Sequence, residues 1–300
     1  MSAPTTTAAT VVRTSRLSAH LVTVTLRAES FTTTGVPDEY VRLLIPPAGA
    51  ALALPTIDES WNVVYPEGAA ELASRVYTIS DHRVVDGVPE VDVDIALHDH
   101  GVGSDWVRRC GPGDQVGMIE PHGLYAATDD VAWQLLVCDI TGVPALARIL
   151  RGLRAGQRVE AVVVLTDAAD ELPLPSPADV TVRWVVVEDE RGISEALSSE
   201  VLGRDLPEAD VEGGRYVWFA GEAKASRAVR RRLRRELGWP QSDFYTCGYW
   251  QFDQEAWDAR YAQVAAEVDA QSREAYATLA KTDQGAYLDA IDDIYEKAGL

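Results

Sequence analysis

Cysteine is scarce in this sequence. Its three cysteines stand at positions 110, 138 and 247, in no Cys-x-x-Cys pair and without a histidine at ligand spacing. The sequence therefore predicts neither a disulfide framework nor a zinc or iron–sulfur site. Any redox chemistry of this chain would have to come from a bound organic cofactor.

Positive charge is also in short supply. Lys and Arg number 27 against 47 Asp and Glu, which gives a formal net charge of −20, and only three of the bases are lysine. Nonspecific binding to nucleic acid or to an anionic membrane requires a dense basic surface, because it depends on counterion release. We therefore expect no nucleic-acid partner.

Long apolar runs and several common catalytic motifs are missing as well. No stretch approaches the roughly 18 apolar residues of a membrane span, and the first residues lack the pattern of a secretory signal. We expect a cytoplasmic protein without membrane insertion. Walker, Gly-x-Ser-x-Gly and His-Glu-x-x-His sequences are absent, which removes the commonest hydrolase and NTPase mechanisms.

The apolar residues that are present divide the 300-residue chain into three parts. Residues 1–10 are rich in Thr and Ala and are expected to be a loose end. Up to about residue 128, short apolar runs are separated by Gly, Pro and Asp, which predicts an antiparallel barrel or sandwich. Those runs are 21–26, 40–45, 76–79, 91–97 and 115–119.

Residues 129–250 have a different texture, because near-continuous apolar runs alternate with helix-like stretches. This alternation predicts a parallel sheet covered on both faces. The expected strands are 133–138, 159–165, 180–187, 216–220 and 244–250, and the expected helices are 144–153, 194–202 and 223–237.

Residues 251–300 form a third part that carries eleven acids and four bases, a net charge of −7. Aromatic residues recur on otherwise helix-forming sequence. We expect one or two amphipathic helices that pack on the body by their aromatic side.

A first candidate site is Arg75-Val-Tyr77-Thr78, on a predicted strand. Alternation places Arg75 and Tyr77 on one face, where an arginine would bind a diphosphate and a tyrosine ring would lie against a flavin. Thr78 offers a hydroxyl and an N–H to the flavin's central ring. Arg and Tyr on the wet face of a strand are also ordinary solvated surface.

A second candidate runs from His98 through a Gly-rich turn to Trp106. Ser104 or Asp105 would cap a short helix that begins near Trp106, and free amides at such a helix start bind diphosphates. The Trp106 ring would offer a flat surface to an aromatic ligand. The alternative is a capped loop with a tryptophan in the core.

A third candidate is the turn around Thr141 and Gly142, between a buried strand and a helix. Ligands of open parallel sheets bind at the carboxyl ends of the strands, so a nicotinamide nucleotide is expected here. Glu222 ends another strand of that sheet and would accept hydrogen bonds on the same side. The turn is not Gly-x-Gly-x-x-Gly.

Six arginines crowd one helix of this otherwise acidic chain. They would attract the extra phosphate of NADPH or an anionic chelate, or they are a solvated helix face. The six are Arg227, Arg230, Arg231, Arg232, Arg234 and Arg235.

Taken in order, nine short segments resemble the siderophore-interacting protein family of flavin-dependent ferric-siderophore reductases. The resemblance covers nearly the whole chain. The segments are Tyr40–Pro46, Arg75–Thr78, Val93–His98, Gly101–Trp106, Pro112–Asp114, Pro121–Gly123, Cys138–Ala145, Ala220–Glu222 and Gly248–Trp250.

The resemblance implies a ferredoxin-reductase-like fold, with an FAD-binding β-barrel at 1–128, an α/β NAD(P)H-binding domain at 129–250 and a helical extension at 251–300. It implies that electrons pass from NAD(P)H through FAD to a ferric siderophore, with release of Fe(II) and no resident metal. The residues that it assigns to the cofactors are Arg75, Tyr77, Thr78, His98, Gly103, Ser104, Trp106, Thr141, Gly142 and Glu222.

The resemblance also implies basic residues that face an anionic chelate. Arg42 stands where the family often has lysine, and His122 stands where it often has arginine. Arg83 is a displaced counterpart of a second family arginine. These three would form a basic patch at the flavin.

Two alternatives remain open beside this reading. Reduced ferredoxin would replace NAD(P)H as the donor and dock on the arginine helix, or the protein would carry a ferric siderophore without reducing it. An intact flavin motif argues against a mere carrier. A monomer is expected in each case.

Overall fold

A closed antiparallel barrel forms the N-terminal domain. A computed structural model of the protein describes residues 4–58, 62–99, 101–128, 131–208, 213–280 and 282–300. The barrel follows the strand order β1-β2-β7-β6-β3-β8. Its strands are β1 (Thr6–Arg16), β2 (Leu21–Arg27), β3 (Tyr40–Ile45), β6 (Ala73–Val85), β7 (Val88–Ala96) and β8 (Gln115–His122), with a small hairpin of β4 (Thr56–Ile57) and β5 (Val63–Val64).

Strict alternation on the barrel strands separates its inside from its outside. On β2, Val22, Val24 and Leu26 point into the core, whereas Thr23 and Thr25 bond Asp94 and Asp92 on the outside. Helix α1 (Val102–Arg109) packs its buried side on this core and follows directly from β7. The predicted antiparallel barrel is confirmed.

Residues 4–10 correct one expectation, since they are not a loose end. Strand β1 begins at Thr6 and pairs with β2 on one edge and β8 on the other. Small Thr and Ala side chains carry little hydrophobic signal, but two neighbouring edges satisfy the backbone groups of this strand.

A five-stranded parallel sheet forms the second domain, in the order β11-β10-β9-β12-β13. The order reverses between β9 and β12. Its strands are β9 (Trp133–Asp139), β10 (Arg158–Leu165), β11 (Asp179–Val186), β12 (Arg215–Glu222) and β13 (Phe244–Trp250), and its helices are α2 (Val143–Gly152), α3 (Ile193–Leu202) and α4 (Ala223–Arg231), which continues as a π-helical turn (Arg232–Glu236).

Both faces of this sheet are covered, as predicted. Helix α2 and residues of the barrel, including Leu21, cover one face, and α3 and α4 cover the other. The predicted domain boundary at 128 and 129 adjoins Asp129 and Asp130, which lie outside the described residues.

Residues beyond the sheet fold as a helical hairpin of α5 (Gln254–Leu279) and α6 (Gln284–Lys297). The aromatic residues pack between these two helices, as in the ring contacts of Trp257 with Tyr295 and of Tyr276 with Tyr287. The expectation that the aromatic side packs on the body is therefore wrong. Acidic residues of α6 face the body instead.

No helix in the described parts of the chain has both the length and the apolar character needed to cross a membrane.

Candidate functional site

Strand β6 carries the predicted flavin residues on both of its faces. Arg75 is exposed, and its guanidinium donates to the carbonyl of the neighbouring Ser74 at 2.8 Å. Tyr77 packs partly against the barrel core, where burial raises the pKa of its hydroxyl to about 12. Thr78 points to the opposite face and is 4% exposed.

The start of helix α1 lies directly against Tyr77. A Cβ added to Gly103 would stand 1.9 Å from the Tyr77 hydroxyl oxygen, so only glycine fits in this arrangement. The structure thus brings together two segments that lie about 25 positions apart in sequence. Gly101 precedes the helix and provides no side-chain cap, which leaves the first N–H groups without one.

Ser104 and Trp106 differ from expectation. The helix begins at Val102, and the buried Ser104 hydroxyl accepts a hydrogen bond from the His98 N–H at 2.9 Å, so Ser104 does not cap the helix. Trp106 is 3% exposed within the barrel core and has no open ring face to offer a ligand. The core reading of this tryptophan is the one that the structure supports.

Thr141 and Gly142 lie at the point where the strand order of the sheet reverses, between the carboxyl ends of β9 and β12. This is the usual ligand crevice of an open parallel sheet. Asp139 shapes the turn, because its carboxylate accepts from the Thr141 N–H at 2.9 Å and from the Thr141 hydroxyl at 2.5 Å.

Asp139 itself was not predicted as a site residue. It is fully buried and also accepts from the Trp250 indole N–H at 2.7 Å. Burial raises the pKa of Asp139, and the hydrogen bonds from Thr141 and Trp250 offset only part of that rise. The sequence signal for Asp139 is a carboxylate at the end of a buried strand, at the point where the strand order reverses.

Glu222 has a structural task that sequence reasoning missed. Its side chain caps α4 by accepting from the Ala225 N–H at 3.0 Å, and its second oxygen lies 3.4 Å from the Phe252 N–H. At 1% exposure, it is not open to a nucleotide. Its expected role as a hydrogen-bond acceptor for NAD(P)H is therefore not supported.

The two domains meet where these elements end. Ile79, which directly follows Thr78 on β6, accepts a hydrogen bond at its carbonyl from Arg148 of α2 at 2.8 Å, and burial raises the pKa of Tyr249 on β13 well above its ordinary value. His98 lies at the same edge, 2.9 Å from the Glu190 carboxylate and with its ring 6.3 Å from that of Trp250. The predicted flavin strand and the predicted nucleotide turn thus lie at the same junction between the two domains, where α2 connects them.

The predicted basic patch is only partly formed. Arg42 donates to the Ser74 hydroxyl at 3.0 Å, and the exposed His122 lies against Tyr40, its partner in the β3–β8 ladder. Arg42 lies beside β6, whereas His122 lies on β8, with β3 between it and β6.

Arg83 does not join Arg42 and His122. It binds Asp92 at 2.7 Å and Glu90 at 3.1 Å on β7, and these bonds raise the pKa of its guanidinium. Arg42 pairs with Val76 on β6, seven residues before Arg83, which separates the two by about 23 Å along the strand. The structure therefore does not support the prediction that Arg83 belongs to the basic patch.

Acids of α6 pair with four of the six arginines of the arginine helix, although Arg231 and Arg235 stay exposed. Arg231 binds Glu296 at 2.7 Å, and Arg235 binds Asp293 at 2.8 Å. Further pairs join the same helices: Arg230 with Asp292, Arg234 with Asp289 and Arg234 with Asp283.

Cation sites are not part of this arrangement. Within the described ranges, no group of three or more His, Cys, Asp or Glu residues is placed to hold a metal ion.

A barrel joined to a parallel sheet, with a crevice at the strand-order reversal, defines a two-domain protein of the ferredoxin-reductase-like class. The ferredoxin reductase of a carbazole 1,9a-dioxygenase shares this fold at a TM-score of 0.54 and 17% identity, over 82% of this chain and 70% of that one.

This chain belongs to the siderophore-interacting protein family. The family model "Siderophore-interacting FAD-binding domain" matches residues 10–125, and the model "Siderophore-interacting protein" matches residues 131–253. The predicted resemblance is confirmed. The α5–α6 hairpin lies beyond both matches.

Two relatives are similar over most of their length. An NADPH-dependent ferric-chelate reductase of Escherichia coli is 31% identical over 247 residues, which cover 80% of this chain and 91% of that protein. The siderophore-interacting protein SipS of Aeromonas hydrophila is 25% identical with a TM-score of 0.63, over 83% of this chain and 99% of that one.

Proposed function

We propose that this protein is an FAD-dependent reductase that takes electrons from NADPH and delivers them to a ferric siderophore, releasing Fe(II). The observation that carries the proposal is the junction of the two domains, where Arg148 of α2, the helix that follows the nucleotide turn, donates to the carbonyl of Ile79 beside Thr78 on the flavin strand. The match to an FAD-binding domain and the similarity to an NADPH-dependent ferric-chelate reductase support it.

The residues present fit FAD. Within the described parts of the chain, the exposed Arg75 guanidinium bonds only a carbonyl of its own strand, which leaves its remaining donors for a diphosphate. The uncapped N–H groups at the start of α1 are a second donor set for the same anion. Tyr77, on the same face of β6 as Arg75, would border the flavin ring.

Bound FAD would supply the exchange between a two-electron donor and a one-electron acceptor. The residues of this chain bind and orient. Asp139 holds the Thr141–Gly142 turn through two hydrogen bonds and thereby fixes the backbone that would receive the nicotinamide nucleotide. Arg42 and His122 would bind the anionic chelate beside β6.

The electron balance sets the stoichiometry. One NADPH supplies two electrons, which reduce two ferric chelates, and one proton is released. Hard, charged oxygen ligands hold Fe(III) tightly and Fe(II) far less well, so reduction frees the iron. No side chain needs to donate or accept a proton at the metal.

The two alternatives receive less support. An acidic ferredoxin would dock on the arginine helix, but four of its six arginines are already paired with α6. A carrier without reductase activity would have no use for the flavin crevice. We infer a cytoplasmic location, which agrees with the three unpaired cysteines, and a monomer, because one chain contributes both half-sites.

The test is the visible spectrum of the purified protein. We expect a yellow protein whose flavin bleaches with NADPH without oxygen, and whose colour returns when a ferric siderophore is added, with two Fe(II) trapped per NADPH. Colourless protein that does not bind added FAD would refute the proposal. Bleaching by reduced ferredoxin but not by NADPH would replace the proposed donor.

A further inference from the structure

Helix α2 forms hydrogen bonds with the barrel at an irregular point of strand β6. The pairing of β6 with β7 shifts register between Ile79 and Asp81, which is a β-bulge. Arg148 donates to the Ile79 carbonyl at 2.8 Å, and Arg151 donates to the Ser80 carbonyl at 2.8 Å. Two arginines of one domain thus hold two consecutive carbonyls of the other.

Arg148 is also held by a buried acid. Its second guanidinium nitrogen donates to the Glu39 carboxylate at 3.0 Å, and Glu39 is fully buried. Thr33 and Thr34 donate three more hydrogen bonds to that carboxylate, at 2.7–2.8 Å. Because the Ile79 N–H in turn bonds the Glu39 carbonyl, the arginine, the acid and the bulge form one rigid unit.

The position of this unit connects the two half-sites. Ile79 directly follows Thr78 of the flavin strand, and α2 begins at Val143, directly after the Thr141–Gly142 turn. Arg148 stands five residues into the helix, or about 7.5 Å along its axis. One helix therefore links the nucleotide turn to the strand that carries the flavin residues.

We propose that Arg148, assisted by Arg151, is a positioning residue that fixes the spacing between the flavin and the nicotinamide. The proposal rests on the proposed function. Hydride transfer requires reacting atoms about 3–3.5 Å apart, and a misplacement of about 1 Å reduces such rates roughly 100-fold. The forked guanidinium suits this role, because it bonds the acid and the carbonyl at once.

The sharpest variant is Arg148→Lys, which keeps the positive charge for Glu39 but cannot bond both acceptors in the same geometry. The matched control is Arg158→Lys, since Arg158 is exposed at the amino end of β10, away from the nucleotide turn. Arg151→Ala is the second variant, because it leaves the buried pair of Arg148 and Glu39 intact.

Two half-reactions are measured by stopped flow on the FAD-loaded protein. With saturating NADPH, flavin reduction in Arg148→Lys is expected to be at least about tenfold slower than in the wild type. Reoxidation of dithionite-reduced protein by ferric citrate should stay within about twofold, as should flavin content. Arg158→Lys should match the wild type in both steps.

Unchanged reduction by NADPH, or an equal loss in both half-reactions, would overturn the proposal. If Arg148→Lys does not fold, Arg151→Ala takes its place. Flavin reduction by NADPH must then be slower in Arg151→Ala, though by less than tenfold, while reoxidation stays unchanged. An unaltered reduction rate in that variant would also overturn the proposal. Hydrogen exchange at the Ile79 and Ser80 amides, measured without NADPH, should be faster in both variants. Hydrogen exchange can be measured even if the protein does not bind FAD. A failure of the proposed function can therefore be distinguished from a failure of the proposed role of Arg148.

Discussion

Replacing Gly103 by alanine tests whether the start of α1 and the flavin strand fit as closely as the structure shows. The added Cβ would stand 1.9 Å from the Tyr77 hydroxyl oxygen and 3.2 Å from the ring carbon that carries it. The first distance is impossible, and the second requires a shift of a few tenths of an ångström. The Tyr77 ring or the helix must therefore move.

The size of the effect follows from that collision. Overpacking of this kind costs about 1–3 kcal/mol. At about 2–4 °C per kcal/mol, Gly103→Ala should lower the melting temperature by roughly 2–12 °C. Removal of the hydroxyl relieves most of the clash, so Tyr77→Phe in the same chain should restore at least half of the loss.

The assay is a double-mutant cycle followed by calorimetry and by denaturant unfolding. Gly152→Ala is the matched control, because a Cβ there meets nothing within 4 Å and alanine in a helix is neutral to stabilising by up to about 1 kcal/mol. A coupling energy below about 0.5 kcal/mol between Gly103→Ala and Tyr77→Phe would refute the reasoning. So would a Gly103→Ala protein as stable as the control.

Four further experiments test other contacts. Arg75→Ala should weaken FAD binding roughly 10-fold or more, because it removes a charge-assisted contact worth about 1.5–3 kcal/mol before screening. An unchanged affinity in a fluorescence titration would show that the diphosphate binds elsewhere. If His122 contacts the chelate, His122→Ala should slow the reduction of an anionic ferric chelate, and an unchanged rate would show that the chelate binds elsewhere. Burial alone would raise the pKa of Glu39, but hydrogen bonds hold the pKa below its ordinary value of 4.5. The ionised carboxylate therefore stabilises the fold above pH 4.5, and this stabilisation is lost as the pH falls below that value. The unfolding free energy of Glu39→Gln should fall less on acidification than that of the wild type, and an identical fall would contradict this. Arg235→Glu replaces the attraction to Asp293 by a repulsion. Limited proteolysis should therefore release the α5–α6 hairpin at a lower salt concentration in this variant than in the wild type. Equal release at every salt concentration would show that this charge pair does not hold the hairpin on the body.

Local sequence predicted most of the secondary structure. Apolar alternation located β2 and β7, and continuous apolar runs located β9 and β10 within one or two residues. Strand β1 escaped this reasoning, because its stability comes from two neighbouring strands rather than from large apolar side chains of its own.

The errors at the site share a physical cause. Trp106, Glu222 and Arg83 are residue types that often bind ligands, and the local pattern at each position was compatible with that use. Each instead contacts groups that the fold brings to it: the barrel core for Trp106, the Ala225 and Phe252 N–H groups for Glu222 and acids of the neighbouring strand β7 for Arg83. Such partners become visible only when the chain is folded.

The distribution of charge depends on the same kind of long-range pairing. The arginine helix holds the largest group of cations in the sequence, yet acids of α6 pair with four of its six arginines, which weakens its attraction for anions. In the outer face of the barrel beside β6, Arg42 binds a neutral serine rather than an acid. We therefore expect an anionic chelate that approaches this chain of net charge −20 to bind near Arg42, beside the flavin strand, rather than at the arginine helix.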